Sequence, residues 1–192
     1  MTSIISIDPA TAAVTLLMAV GLIGLGWFQL GALKGQIKTL IERSYANLLP
    51  SIDERYETKE MQESRNIEQK LLDKAKTACS SLTGKTKEQK LRSSFLKYVA
   101  DLRDKNHHDY LVLMRKLNFF ETVGYLCKKK YLSYEDIIEL YGMPVTRSYL
   151  LLLPHIQDRQ SKEGPKVYEC FIELGQMTVD KYPDYDITRS TS

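Results

Sequence analysis

The chain has 192 residues, 43% of them hydrophobic and 27% charged, and its net charge is +3. This composition is that of a folded protein, and the length allows one compact domain of about 100–150 residues plus a further segment. The basic balance is too weak to indicate nucleic-acid binding by itself. The three cysteines form no C-x-x-C pair, which argues against a zinc site and predicts free thiols in a reducing compartment.

The first predicted element is a transmembrane helix at about residues 9–33, within an N-terminal segment of residues 1–33. No charged side chain occurs from Pro9 to Leu33, and a run of about 20 apolar residues is enough to cross a bilayer. A cleaved signal peptide is the alternative, but the residues before the run lack the basic side chains that it requires. Basic residues follow the run, which by the positive-inside rule predicts an external N-terminus and a cytoplasmic remainder: Lys34, Lys38 and Arg43.

The predicted span has two distinct faces. One is a weakly polar stripe, and its most polar members are the candidates for lining a pore: Thr11, Thr15, Gln29 and Gln36. Another face carries glycines that would let helices pack closely, with a G-x-x-x-G pair at its end: Gly24, Gly31 and Gly35. Because one helix cannot enclose water, a pore would need a ring of chains. The alternative is a plain anchor in which the glycines are merely tolerated.

The remainder is predicted to be helical, so the fold class is all-α. A stalk at residues 34–50 ends at Pro50, and a cytoplasmic bundle follows at 51–182. Within the bundle we expect a solvated helix at 51–76, a linker at 80–88 and two apolar helical stripes between 91 and 126. Ser133 is expected to cap a helix that Gly142 ends, with another helix after it and a last one after Gly164-Pro165. Residues 183–192 are expected to be a frayed tail.

The stretch "ADLRDKNHHDY" at residues 100–110 contains an arginine and a histidine at a spacing that suits RNA cleavage. Arg103 could bind phosphate in a planar fork, and His108 could transfer protons near neutral pH. The spacing is weakly specific, since chance supplies about 0.4 such matches in a chain of this composition. A solvated helix face or a helix junction explains the polar neighbours equally well.

Other chemistry-bearing residues have plain structural interpretations. His155, after Pro154, is expected to pack near the start of a helix. Lys128, Lys129 and Lys130 suit a helix end, although they could also contact lipid phosphate or RNA. No P-loop, dinucleotide fingerprint, metalloprotease motif or serine-hydrolase motif occurs, and the sequence predicts neither a metal nor a cofactor.

The Arg103–His108 spacing resembles the motif of the HEPN family of metal-independent RNases, in which two chains usually pair to form one site. Together with an N-terminal span and a small helical domain, it resembles the membrane accessory proteins of type VI-B CRISPR loci, which carry a divergent HEPN motif. Residues 118–142 also resemble a broad set of uncharacterised bacterial membrane-anchored helical proteins, through "NFFE", Gly124 and "ELYG". This second resemblance implies no function.

The CRISPR resemblance implies a non-enzymatic antiviral protein that forms a homo-oligomeric pore, a ring of about eight chains, in the bacterial inner membrane. The pore would depolarise the membrane when the partner RNA-guided RNase detects phage RNA, with no direct RNA binding by this chain. Arg103 and His108 would then serve packing or subunit contacts. Two alternatives stay open: a membrane-tethered RNase that uses Arg103 and His108 across a dimer, and an anchored scaffold.

Overall fold

A computed structural model describes residues 29, 33–36, 39–40 and 43–188 of the chain. The chain divides into two units, residues 1–46 and 47–192. The described residues of the first unit are all helical, and the described part of the second unit contains helices, turns and bends but no strand. The predicted all-α class is therefore confirmed for the part of the chain that is described.

Six helices make up the described part of the second unit. Residues 47–56 are helical and are called α1 here. The others are α2 (Lys59–Ala78), α3 (Gly84–Lys105), α4 (His107–Lys128), α5 (Tyr134–Glu163) and α6 (Glu169–Lys181). Helix α4 lies at the centre of the bundle, where it packs against α2, α3, α5 and α6.

The two apolar stripes predicted between residues 91 and 126 form much of the core. Leu91, Phe95 and Val99 of α3 are buried. On α4 the buried members of the stripe are Tyr110, Met114, Leu117, Phe120 and Val123, whereas Leu111 is half exposed. Burial of apolar side chains at helical spacing is the main stabilising contribution to such a bundle.

The prediction of a solvated helix at 51–76 is wrong. Helix α2 buries a complete face against the bundle, and that face carries polar as well as apolar residues: Met61, Ser64, Glu68, Leu71, Leu72 and Ala75. The apolar positions alone are too sparse to predict it. Thr58 begins this helix, because its side-chain oxygen accepts a hydrogen bond from the Met61 amide at 3.4 Å.

Two predicted helix ends are also wrong. Helix α1 continues through Pro50, because Ile52 and Tyr56 beyond the proline are buried in the core. Helix α5 continues through Gly142, Pro144 and Pro154 over 30 residues. Each proline removes one intrahelical hydrogen bond, and buried residues before and after both prolines hold the helix together. The predicted cap is confirmed, since Ser133 accepts hydrogen bonds from the amides of Glu135 and Asp136.

The tail differs from the frayed segment that we predicted, as far as residue 188. Ile187 is only 3% exposed, and Tyr182 donates a hydrogen bond from its hydroxyl to the Ile138 carbonyl. Gly142 makes room for this ring, because a Cβ atom there would lie 2.5 Å from Cε2 of Tyr182. Ile187 therefore packs onto the bundle, whereas Pro183, Asp184 and Asp186 are exposed.

The predicted span at about residues 9–33 lies almost wholly outside the described residues. Among the described residues, no helix combines the length and apolarity needed to cross a bilayer. Of the residues predicted to line a pore or pack helices there, Thr11, Thr15, Gly24 and Gly31 lie outside the described part. Gln29, Gly35 and Gln36 are described; all three are helical and exposed.

Candidate functional site

The Arg103–His108 motif lies across a junction between two helices. Arg103 is in the last turn of α3 and His108 is in the first turn of α4. Asn106 separates the helices, and its side-chain oxygen accepts a hydrogen bond from the Asp109 amide at 3.2 Å. The polar composition of this stretch thus matches a helix junction, one of the two structural interpretations of the sequence.

Arg103 and His108 do not bond to each other. The Arg103 guanidinium bonds to Asp104 at 3.0 Å, and the two side chains are 45% and 64% exposed. The hydrogen bond and the charge of Asp104 raise the pKa of Arg103. His108 is exposed and lines a shallow groove between α2 and α4, together with Glu63, Lys70 and Asp109 among others.

The histidine that does meet this junction is His155. Its Nε2 atom lies 3.2 Å from the hydroxyl of Tyr110, and the two rings pack edge to face. Burial lowers the pKa of His155, and the positive charges of Arg159 and Arg103 lower it further. His155 therefore packs, as the sequence predicts, but in the interior of α5 rather than near a helix start.

A chain of polar contacts extends from this corner across α4, α5 and α6. Arg159 donates to the Tyr168 hydroxyl at 3.1 Å, and that hydroxyl donates to Asn118 at 2.9 Å. Arg159 also binds the Glu163 carboxylate through both of its oxygens. Arg159 is thus held by Tyr168 and Glu163 within the fold.

A buried ionic cluster joins α2, α4 and α5. Glu68 and Lys116 are fully buried, and the ammonium of Lys116 lies 3.1 and 3.0 Å from the two carboxylate oxygens. Arg147 and Ser148 donate to the same carboxylate at 2.9 and 2.8 Å. Burial alone would raise the pKa of Glu68, but the charges of Lys116 and Arg147 outweigh it and the pKa is lowered. The cluster is a neutralised and hydrogen-bonded structural link.

This cluster was not predicted from the sequence, although a signal for it exists. Lys116 lies on the buried stripe of α4, and in the sequence it stands between the buried residues Leu113 and Leu117. Glu68 similarly falls between Met61 and Leu72 on the face that α2 buries. A charge on an apolar stripe predicts a buried partner, but the sequence does not identify which opposite charge it meets.

The "NFFE" stretch has a structural role. Phe120 is fully buried, and its ring stacks with that of Phe171 at 6.2 Å between centroids. The Glu121 carboxylate accepts hydrogen bonds from the amides of Cys170 and Phe171 at 3.3 and 2.7 Å, so it caps the start of α6. Gly124 lets α6 approach α4, because a Cβ atom there would lie 2.5 Å from the Cys170 carbonyl oxygen.

Comparison with known proteins gives no relative: no family model, no curated protein and no solved structure matches the chain. Within the described residues, no group of three or more metal-ligating side chains converges.

Proposed function

We propose that this chain is a non-enzymatic protein that is anchored in the bacterial inner membrane and assembles with copies of itself through its N-terminal helix. The observation that carries the proposal is the uncharged run from Pro9 to Leu33, with its polar stripe and its glycines. In the finer form of the proposal, the helices form a pore that depolarises the membrane. Its place in CRISPR-linked antiphage defence, beside a type VI-B RNA-guided RNase, rests on the resemblance alone.

The contacts of the described residues support a structural role for the helical unit. Arg103 is bound by Asp104, and His155 is bound by Tyr110. The buried charges of Glu68 and Lys116 neutralise each other. The contact of His155 and the pair of Glu68 with Lys116 each join two helices, whereas the pair of Arg103 with Asp104 lies at the surface within α3.

The decisive experiment is the mass of the particle extracted in detergent, followed by conductance in a planar bilayer. We expect a ring-sized particle that conducts. The matched control replaces residues 9–33 with an unrelated apolar span, which should abolish both the large particle and the conductance. If the unmodified chain extracts as a monomer, as the control should, assembly is contradicted. If the control keeps the antiphage function of the unmodified chain, the protein is an anchored scaffold.

A membrane-tethered RNase is the second candidate, and the exposure of both motif residues favours it. Arg103 is 45% exposed and His108 is exposed, so two chains could bring their motifs together. It predicts that purified protein cleaves single-stranded RNA and that His108→Ala abolishes cleavage, whereas His107→Ala, a change at the adjacent exposed histidine, does not. Absence of cleavage by the unmodified protein removes this candidate.

A further inference from the structure

The positive charge of the chain is concentrated in residues 70–105, which comprise the end of α2, the turn after it and all of α3. This segment contains ten lysines and arginines but only four acidic residues. The rest of the chain contains 17 basic and 20 acidic residues, so its own balance is negative. The net positive charge of the chain therefore comes from this segment, which is called the basic hairpin here.

Neighbouring elements reduce this excess but do not cancel it. The start of α2, the start of α4, the end of α5 and the tail bring five carboxylates to the hairpin, and α5 brings two cations. Twelve basic groups then face nine acidic ones, so an excess of three positive charges remains. The carboxylates are those of Glu63, Asp109, Asp158, Asp184 and Asp186, and the cations are Arg147 and Lys162.

One side of α3 carries a stripe of lysines that extends over 18 residues, about 27 Å at the rise of an α-helix. Spacings of three, seven and eight residues keep its members on that side: Lys87, Lys90, Lys97 and Lys105. Asp101 lies on the same side and is ion-paired to Lys105 at 3.2 Å. Lys90 and Lys97 are exposed, and neither they nor Lys87 form an ion pair with a described residue.

The lysines at the start of α3 act against the stability of the helix. Lys85 and Lys87 stand in the first turn, which contains no acidic residue, and the positive end of the helix dipole disfavours cations there. Lys90 follows Lys87 by three residues, a spacing at which like charges repel. Stability alone would favour acidic side chains at these positions, so the lysines point to a use outside the fold.

We propose that the basic hairpin binds the phosphate backbone of a nucleic-acid duplex. Basic side chains aligned along a helix are the electrostatic footprint of phosphate contact. None of the large apolar side chains that are exposed among the described residues lies in the hairpin; Phe95 is buried and Tyr98 is half-buried. The hairpin therefore lacks the aromatic platform on which single strands stack. It also lacks the apolar face that suits a membrane surface and the apolar anchors of most protein interfaces.

This proposal goes beyond the proposed function and does not depend on it, because every residue that it uses lies in the helical unit. The test is the fluorescence anisotropy of labelled duplexes of about 20 base pairs, titrated with the full chain in an uncharged detergent. One arm uses RNA and the other uses DNA of the same sequence. We expect a Kd of about 1–100 μM at physiological salt, with weaker binding as the salt concentration rises. Binding to either duplex supports phosphate recognition, and the tighter arm identifies the nucleic acid.

A triple variant of the stripe separates binding from folding. Lys87→Gln with Lys90→Gln and Lys97→Gln should weaken binding at least about ten-fold and lower the slope of log K against log salt by about three, one for each lost phosphate contact. Lysine and glutamine have similar helix propensities, so urea titration should find this variant no less stable than the parent.

The matched control removes the same charge from outside the hairpin. Lys59→Gln with Lys129→Gln and Lys166→Gln changes three exposed lysines and should leave the Kd within about two-fold of the parent value. The proposal is overturned if neither duplex binds, if the stripe variant binds as tightly as the parent, or if the control loses as much affinity as the stripe variant.

Competing partners are tested with the same two variants. Tighter binding to the unpaired strand of the same sequence would overturn the assignment to a duplex. Binding to vesicles of anionic lipid or to poly-glutamate that the stripe variant loses, without binding to either duplex, would assign the hairpin to a membrane surface or to an acidic protein and would also overturn the proposal.

Discussion

Lys116 is a charged residue at a fully buried position of the fold. It lies on the buried stripe of α4 with no exposed surface, and Glu68 holds its ammonium through both carboxylate oxygens. The position can be read from the sequence, because apolar neighbours surround it at helical spacing. Its partner is 48 residues away, and no local pattern identifies a partner at that distance.

Lys116→Met is expected to destabilise the domain by about 3–5 kcal/mol, because it leaves the Glu68 carboxylate buried with one cation fewer. The free energy of unfolding, measured by urea titration, checks this. Glu68→Leu combined with Lys116→Met should cost less than either single change, since it removes both charges from the interior. Single variants that are as stable as the parent would contradict a structural role for the pair.

His155 gives the domain a pH dependence of predictable sign. Its pKa is lowered in the fold by burial and by nearby arginines, so the unfolded chain takes up a proton more readily, near the ordinary value of about 6.5. The contribution of His155 to stability is thus complete above that value and is lost as the pH falls through it toward the lower pKa of the folded state.

We therefore expect the free energy of unfolding to fall between about pH 7.5 and about pH 5.5, and His155→Gln to reduce this slope. Urea titrations at the two pH values measure it. Thr122→Ala, at an exposed position of α4 that carries no titrating group, serves as the control. An identical slope in both variants would show that other groups cause the dependence.

Arg103 and His108 illustrate the limit of motif spacing at the residue scale. The sequence correctly allowed a helix junction, and Asn106 does cap α4 there. The spacing does not predict the backbone turn at Asn106, which places the two residues on different helices. It also could not provide the proximity of Tyr110 to His155, which lies 45 residues further along the chain.

At the scale of elements, the start of α6 depends on a carboxylate from another helix. Tyr168 precedes this helix in a left-handed conformation and offers no side-chain cap. Glu121 of α4 supplies the missing acceptors for two amides. A sequence rule that searches for a local cap could find Ser133 for α5 but could not find this one.

Glu121→Ala is expected to cost about 1–2 kcal/mol, the value of a lost cap with its hydrogen bonds. Thermal or urea unfolding measures the loss, and amide exchange should increase first in the opening turn of α6. Glu139→Ala, at an exposed position of α5, is the control and should stay within about 0.5 kcal/mol of the parent. Unchanged exchange at Cys170 and Phe171 would contradict the capping role.

Gly124 sets the distance between α4 and α6. Gly124→Ala is expected to destabilise the domain by about 1–3 kcal/mol, because the added methyl group meets the Cys170 backbone, which a side-chain rotation cannot move aside. Helix propensity alone favours alanine here, so the sign of the change distinguishes packing from propensity. Thr122→Ala on the exposed face of the same helix should be nearly neutral.

The long helix α5 explains why element ends were harder to predict than element types. Gly142 and two prolines are ordinary stop signals, yet residues beyond each of them are buried and continue the helix. Gly142 serves the approach of the Tyr182 ring instead. The local signals favour helix ends at these positions, but tertiary packing outweighs them.

At the scale of the whole molecule, the all-α class follows from apolar spacing and is confirmed where the chain is described. The predicted order of stalk, bundle and tail depends on composition, which does not reveal that Ile187 packs onto the bundle. The proposed assembly through the N-terminal helix stays a prediction. From this assembly we expect that replacing residues 9–33 with an unrelated apolar span reduces the extracted particle to a monomer. Light scattering measures the mass of that particle.

The buried cluster also has a consequence for synthesis on the ribosome. Glu68 accepts two of its hydrogen bonds from Arg147 and Ser148. The ribosome adds these two residues 79 and 80 positions after Glu68. Until that part of α5 emerges, α2 and α4 can meet only around a carboxylate that lacks two of its hydrogen-bond donors. Nascent chains stalled before Arg147 should thus remain protease-sensitive in α2, and those stalled after α5 has emerged should become resistant together in α2, α4 and α5.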